Sequence, residues 1–141
     1  MKKAVIVGAT SGIGRALAVE LHGRGYRVGA TGRRIERLEE LKSELEHRIH
    51  IQFMDVTRLE EAWKHLHSLI GQMGGMDIIV LNAGITDFQT KSTWDKEQKL
   101  IAVNISGFAS LASRSFEHFK EQGHGHIVGI SSVASLFGSG L

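Results

Sequence analysis

Glycines directly follow the first apolar segment of the chain, and their positions could bind a phosphate group. Residues 5–7 lead into a turn after which an amphipathic helix is predicted. Glycines at such a turn let the backbone approach a pyrophosphate, and the helix N-terminus offers unpaired N–H groups. Hydroxyls in the turn can add donors. The alternative is that the glycines only make a turn. The turn consists of Gly8, Ala9, Thr10, Ser11, Gly12, Ile13 and Gly14.

The spacing of these glycines separates several kinds of nucleotide site. It is G-x-x-x-G-x-G, which differs from the G-x-G-x-x-G of many dinucleotide-binding folds. No Gly-Lys-Ser/Thr sequence follows, and this excludes the P-loop of an NTPase. The strand, turn and helix in succession favour a nucleotide site over a bare turn.

Short apolar segments alternate along the chain with stretches of helical periodicity. The apolar segments are β-branched without strict alternation, as expected for parallel strands covered on both faces. They comprise residues 4–7, 26–30, 49–53, 78–81 and 127–130. Helices are predicted over residues 13–21, 35–45, 59–70 and 94–122. Thr57 and Glu60 form a capping box that is expected to begin the third helix.

This alternation predicts βαβ units with a parallel sheet and right-handed crossovers. The chain has 141 residues, of which 42% are apolar and 23% charged. That length is sufficient for one domain with a hydrophobic core and too short for two. We therefore expect a single α/β domain over residues 1–141.

Composition argues against several function classes. The 17 basic and 15 acidic residues are spread along the chain, which disfavours a nucleic-acid partner. The chain has no cysteine, so disulfides and thiolate chemistry are excluded and a cytoplasmic location is expected. No apolar segment approaches the length that crosses a membrane. No metal site is expected, since His65 and His67 cannot share a metal and His124 and His126 lack a third ligand.

Further polar motifs lie at the ends of the later strands and in the long helix. They are, in chain order, Asp55-Val56, Asn82-Ala83-Gly84, Asn104 and Ser131-Ser132. Together with the glycine turn, these motifs make the chain resemble the short-chain dehydrogenase/reductase family over essentially its whole length. Leu81 stands where the family has the first Asn of Asn-Asn-Ala-Gly, which predicts a more apolar central strand.

The resemblance implies a fold and a set of residue roles. The fold is a Rossmann-like, doubly wound parallel sheet with strand order 3-2-1-4-5, truncated before its last strands. The Asp55 carboxylate would contact the adenine amino group, and Asn104 and Ser132 would belong to the catalytic set. In the family this asparagine holds a water and bends its helix, while the serine hydrogen-bonds the substrate oxygen. The residues implied to bind the cofactor here are Asp55, Val56, Asn82, Ala83 and Gly84.

The residues taken alone leave other roles open. Asp55 could cap the following helix, although Thr57 is available for that position. Asn82 and Gly84 could form an ordinary turn, and so could Ser132. Asn104 could face solvent, but its apolar neighbours favour a buried polar role. These neighbours are Ile101, Val103 and Ile105.

The end of the second predicted strand indicates which dinucleotide would bind. Gly32 is followed there by Arg33 and Arg34, with no acid between Tyr26 and Ile35. An NAD site would place a carboxylate here, whereas a guanidinium binds a phosphate with two hydrogen bonds. We therefore predict NADP(H), with Arg33 as the primary contact to the 2′-phosphate and Arg34 as an auxiliary one. The alternative, solvated charges, is disfavoured because cations are unfavourable at a helix N-terminus.

The family's proton transfer requires a Tyr-x-x-x-Lys motif, in which the lysine lowers the tyrosine pKa. The only tyrosine is Tyr26, at the start of the second strand, and the sequence after Ser132 is too short for the motif. We therefore expect a truncated chain that cannot itself reduce carbonyls. The edge at residues 127–130 is expected to make it self-associate or marginally stable.

Two functions from different classes remain open at this point. The first is an NADP-dependent oxidoreductase that interconverts an alcohol and a carbonyl of a small-molecule substrate, as a homo-dimer or homo-tetramer of the full-length parent. The second is a noncatalytic dinucleotide-binding or redox-sensing module, for which the lack of the tyrosine would be natural.

Overall fold

A five-stranded parallel sheet organises the computed structural model, which describes residues 1–87 and 91–136. The strands are β1 (Lys3–Val7), β2 (Arg27–Gly32), β3 (Ile49–Phe53), β4 (Ile78–Leu81) and β5 (His126–Gly129). Their order in the sheet is β3-β2-β1-β4-β5, which confirms the order 3-2-1-4-5. The direction of winding reverses between β1 and β4, where ligands bind in open α/β sheets.

Helices cover both faces of this sheet. They are α1 (Gly12–Gly23), α2 (Ile35–Leu45), α3 (Leu59–Met73), α4 (Trp94–Ile101) and α5 (Phe108–Gln122). A π-helical segment (Ala102–Gly107) joins α4 to α5, and a short 3₁₀ turn (Val133–Ser135) follows β5. Among the described residues, none of the helices has both the length and the apolar character that a membrane crossing requires.

The apolar segments form the central strands because both of their faces are buried. Val5 and Val7 on β1 pack in a cluster with Leu66 and Leu69 of α3 and Leu111 of α5. The alternate residue, Ile6, packs on the opposite face in a cluster with residues of α1 and α2. These residues are Ala18, Leu38 and Leu41. β1 therefore contributes to two core layers, and this explains why it is apolar without alternation.

The structure differs from the sequence prediction at the start of α3. Thr57 and Glu60 form no capping box: the N-cap position is occupied by Arg58, and no side chain caps the helix. The Thr57 hydroxyl donates instead to Asp55 Oδ1 over 2.7 Å, and Glu60 pairs with Arg114 of α5. A Thr57 cap would need the helix to begin at Arg58, but it begins at Leu59, so the Thr57 hydroxyl is not at the position that accepts an N–H of the first turn.

The long helix predicted over residues 94–122 is present, but it contains the π-helical segment in its middle. Such segments occur as single wide turns within α-helices, often at functional sites. The helix also carries exposed apolar side chains. Ile105 is 60% exposed and Phe116 59% exposed.

Candidate functional site

A pocket of about 400 Å³ lies at the carboxyl ends of β1, β2 and β4. The sequence-predicted cofactor residues line it, except Gly12 and Gly14, which belong to the first turn of α1. Those that line it are Gly8, Thr10, Ser11, Ile13, Arg33, Arg34, Asp55, Val56, Asn82, Ala83 and Gly84. The pocket is thus built at the point where the strand order reverses.

The glycine turn is held by backbone bonds to β2. The N–H groups of Gly8 and Ala9 both donate to the carbonyl oxygen of Thr31, over 3.0 and 2.8 Å. Thr31 lines the pocket and is buried, yet it belongs to no motif that was identified from the sequence. Its role is carried by the backbone, which any residue type could supply.

The glycine turn and α1 approach each other so closely that position 14 has no room for a side chain. A Cβ atom on Gly14 would lie 2.0 Å from the Gly8 carbonyl oxygen and 2.5 Å from Asn82 Nδ2. Ser11 is the N-cap residue of α1, but its side chain makes no capping hydrogen bond. The first N–H groups of α1 therefore remain available to an anion in the pocket.

The two arginines after β2 have different surroundings. Arg34 Nη2 donates to Thr10 Oγ1 over 2.7 Å and to Ser11 Oγ over 2.8 Å, so Arg34 links the end of β2 to the glycine turn. Arg33 lines the pocket without a hydrogen bond to any residue in the described part of the chain. Both side chains are exposed at the pocket mouth.

Asp55 follows β3 and presents a carboxylate to the same pocket. Its Oδ1 accepts hydrogen bonds from the backbone N–H of Thr57 (3.0 Å) and from the Thr57 hydroxyl (2.7 Å). Burial raises the pKa of Asp55, but these bonds and the charges of Arg33 and Arg58 outweigh it and leave the pKa below its usual value. The carboxylate is therefore ionised at neutral pH and can only accept hydrogen bonds.

Asn104 lies in the π-helical segment and is paired with the backbone of Ile85. Its Oδ1 accepts the Ile85 N–H over 2.9 Å, and its Nδ2 donates to the Ile85 carbonyl over 2.8 Å. The expected buried polar role is wrong, because Asn104 is exposed. The apolar neighbours misled the prediction, since Ile101 and Ile105 are themselves exposed. Ile85, which lines the pocket, carried no sequence signal.

Ser132 and Tyr26 lie outside the pocket lining. Ser132 follows β5, is exposed, and accepts a hydrogen bond at Oγ from the N–H of Ala134 over 3.1 Å. Tyr26 precedes β2, at the opposite edge of the sheet from the pocket. Within residues 1–87 and 91–136, no group of three or more histidine or carboxylate side chains could hold a metal ion.

Comparisons of the sequence and of the structure with known proteins both find dehydrogenases and related oxidoreductases. The model of the short chain dehydrogenase family matches residues 2–140. An uncharacterized oxidoreductase of Myxococcus xanthus is 34% identical over 142 residues, which cover 97% of this chain and 56% of the relative. The NADP-dependent 3-hydroxy acid dehydrogenase YdfG of Escherichia coli is 33% identical over 133 residues, which cover 92% of this chain and 54% of the relative.

A solved structure, the closed form of serine dehydrogenase complexed with NADP+, superimposes with a TM-score of 0.89 at 31% identity. The match covers 97% of this chain and 56% of that protein. The chain thus spans little more than half the length of the proteins it matches.

Proposed function

The chain belongs to the short-chain dehydrogenase family, and from this premise we propose that it forms the cofactor-binding part of an NADP-dependent oxidoreductase. The reaction moves a hydride between NADP(H) and an alcohol or carbonyl group of a small molecule. One observation carries the choice of NADP. Arg33 and Arg34 lie at the mouth of the pocket, where β2 and the turn after it contribute no carboxylate.

The residues present fit such a cofactor. The glycine turn and the open N-terminus of α1 suit the pyrophosphate, because they offer N–H donors where Gly14 leaves no side chain in the way. We assign the 2′-phosphate to Arg33 and Arg34, and the adenine amino group to the Asp55 carboxylate. The bound cofactor would supply or accept the hydride. Asn82, Ala83 and Gly84 form the pocket wall at the end of β4, where we place the nicotinamide end.

Asn104 acts on this wall indirectly. Because it holds both backbone groups of Ile85, it fixes the segment that follows Gly84. We therefore treat Asn104 as a positioning residue. Ser132 lies at the carboxyl end of β5, the same edge of the sheet as the pocket, and we propose that it hydrogen-bonds the substrate oxygen. Tyr26 lies at the amino end of β2, whereas the pocket lies at the carboxyl ends of the strands, so Tyr26 cannot serve as the proton donor.

We also propose that the full-length protein is a homo-dimer or homo-tetramer. The exposed apolar side chains of the α4–α5 helix support this, since such surfaces often mark interfaces. Ile101, Ile105, Phe108 and Phe116 contribute to that surface.

Isothermal titration of the protein with NADPH and NADH tests the cofactor proposal. NADPH should bind at least about tenfold more tightly, since charge-assisted hydrogen bonds to the 2′-phosphate contribute about 1.5–3 kcal/mol. Equal affinities would overturn the choice of NADP, and the absence of binding by either would overturn the function. Two relatives are named for their action on a 3-hydroxy acid and on serine, so 3-hydroxy acids are the first substrates to assay with the full-length protein.

A further inference from the structure

Thr10 is fixed from two sides by residues at the end of β2. On one side, a Cβ atom on Gly32 would lie 2.4 Å from the Thr10 methyl carbon, Cγ2. On the other side, the Thr10 hydroxyl accepts the hydrogen bond from Arg34 Nη2 over 2.7 Å. The methyl group and the hydroxyl of one side chain therefore contact two different residues of the strand end.

We propose that Thr10 and Gly32 form an interlocked pair that determines cofactor specificity. In this pair Thr10 is a positioning residue that acts through Arg34. Glycine is the only residue type at position 32 that leaves room for the Thr10 methyl group. The proposal rests on the proposed binding of NADP. It adds that the preference for NADP(H) over NAD(H) depends on a steric contact as well as on the two arginines.

The methyl side of the contact excludes an acidic residue at position 32. Real Cβ atoms essentially never approach another atom as closely as 2.4 Å, so any side chain at this position requires Thr10 to move. The backbone cannot relieve the clash easily. The carbonyl of Thr31, one residue before Gly32, holds the N–H groups of both Gly8 and Ala9 in the glycine turn.

Rotation of the Thr10 side chain would clear its methyl group but would break its other contact. A turn about the Cα–Cβ bond that moves Cγ2 away from Gly32 also moves Oγ1 away from Arg34. The carboxylate that an NAD site uses at this end of β2 is thus incompatible with the hydroxyl that holds Arg34.

The hydroxyl side of the contact prepares Arg34 for a phosphate. Nη2 donates to Thr10 and Ser11, which leaves Nη1 and Nε of the same guanidinium without a hydrogen bond to another described residue. A guanidinium that is already held loses less side-chain entropy when it binds an anion. Arg33 has no such support among the described residues. The geometry therefore gives Arg34 a larger role than the auxiliary one expected from the sequence.

Two variants of Thr10 separate these effects. Thr10→Ser keeps the hydroxyl and removes the methyl group, while Thr10→Val keeps the methyl position and removes the hydroxyl. Each is made alone and together with Gly32→Asp, and the dissociation constants of NADPH and NADH are measured by isothermal titration calorimetry. Circular dichroism and thermal melting verify that each protein is folded.

Alone, Thr10→Val should weaken NADPH binding about three- to tenfold relative to Thr10→Ser, the effect of about one hydrogen bond, with a smaller change for NADH. Gly32→Asp with Thr10 intact should bind both cofactors poorly. Thr10→Ser combined with Gly32→Asp should recover NADH binding by about tenfold or more over Gly32→Asp alone, because the clash is gone. Thr10→Val combined with Gly32→Asp should not recover it.

Two results would overturn the interlock: equal NADPH affinities for Thr10→Ser and Thr10→Val, or NADH binding by Gly32→Asp as tight as by its combination with Thr10→Ser. If Gly32→Asp does not fold, Gly32→Ala decides in its place, and Thr10→Ser should relieve its defect. Failure of the proposed function appears separately, as a wild-type protein without preference for NADPH. A wild-type preference that persists while the Thr10 variants behave alike refutes only the interlock.

Discussion

The side-chain amide of Asn82 donates a hydrogen bond to the carbonyl oxygen of Gly8 over 2.8 Å. This bond connects the ends of β4 and β1, which are adjacent in the sheet but 74 residues apart in sequence. Gly14 of α1 lies against both groups. The end of β4 and the glycine turn after β1 therefore pack as one unit. A substitution in either of them should alter the structure of the other.

Replacement of Asn82 tests this unit. Asn82→Ala leaves the Gly8 carbonyl without its donor, and the free energy of unfolding should fall by about 1–3 kcal/mol. Asn82→Asp should be more harmful at neutral pH, because it sets a carboxylate, which can only accept hydrogen bonds, against the carbonyl oxygen. Chemical denaturation measures the stability, and NADPH titration should show weaker binding in both variants. Wild-type stability and binding in Asn82→Ala would show that the bond is dispensable.

Gly14→Ala should have a much larger effect than the same change elsewhere on α1. The new methyl group would meet the Gly8 carbonyl at 2.0 Å, so the turn must distort and NADPH affinity should fall by about tenfold or more. Gly23→Ala at the other end of α1 is the matched control, since a Cβ atom there meets nothing within 4 Å. If both variants bind NADPH equally well, the close packing of turn and helix has no functional role.

The sequence predicted the features that depend on local pattern. The segments at residues 49–53 and 78–81 matched β3 and β4 residue for residue. Residues 78–81 are apolar throughout, as expected for a strand covered on both faces, whereas residues 49–53 include His50 and Gln52. The ends of the second strand were less clear. The second strand was expected over residues 26–30 and runs from Arg27 to Gly32.

The features that the sequence missed depend on contacts between distant residues. Thr57 looked like a helix cap, but its hydroxyl bonds to Asp55. The π-helical segment accompanies the pairing of Asn104 with the backbone of Ile85, 19 residues away. Likewise, the hydrogen bonds that Arg34 donates to the Thr10 and Ser11 hydroxyls join residues more than 20 positions apart. Side-chain periodicity does not encode such contacts.

Arg33→Ala should raise the dissociation constant of NADPH much more than that of NADH. Loss of charge-assisted hydrogen bonds to the 2′-phosphate predicts about a tenfold or larger effect on NADPH. Arg37→Ala is a suitable control, because Arg37 is exposed one turn along α2, pairs with Glu40 and does not line the pocket. Equal losses for the two cofactors in Arg33→Ala would refute the assignment of this residue.

Asn104→Ala should loosen the pocket wall at Ile85. The Ile85 N–H loses its acceptor at 2.9 Å, so its hydrogen exchange should become faster while amides of β1 stay protected. Ser106→Ala, at an exposed position of the same π-helical segment, is the control for general weakening of the helix. Unchanged exchange at Ile85 would contradict the positioning role of Asn104.

Stability should fall on acidification through His50 of β3. Burial lowers the pKa of His50, and the positive charges of Arg27 and Lys42 lower it further. Between the usual value of 6.5 and the lower value in the folded state, the unfolded chain binds more protons than the folded chain. The contribution of His50 is therefore complete above that usual value and is lost as the pH falls through the folded-state pKa.

Thermal melting between about pH 7 and pH 5 covers the range in which this contribution changes, and carboxyl groups such as Asp55 remain ionised there. His50→Gln cannot take up a proton, so its melting temperature should decrease less over this range than that of the wild type. His67→Gln, at an exposed position of α3, is the matched control for the loss of a histidine side chain. Identical slopes for His50→Gln and the wild type would show that burial and the charges of Arg27 and Lys42 do not lower the pKa of His50 in the folded protein.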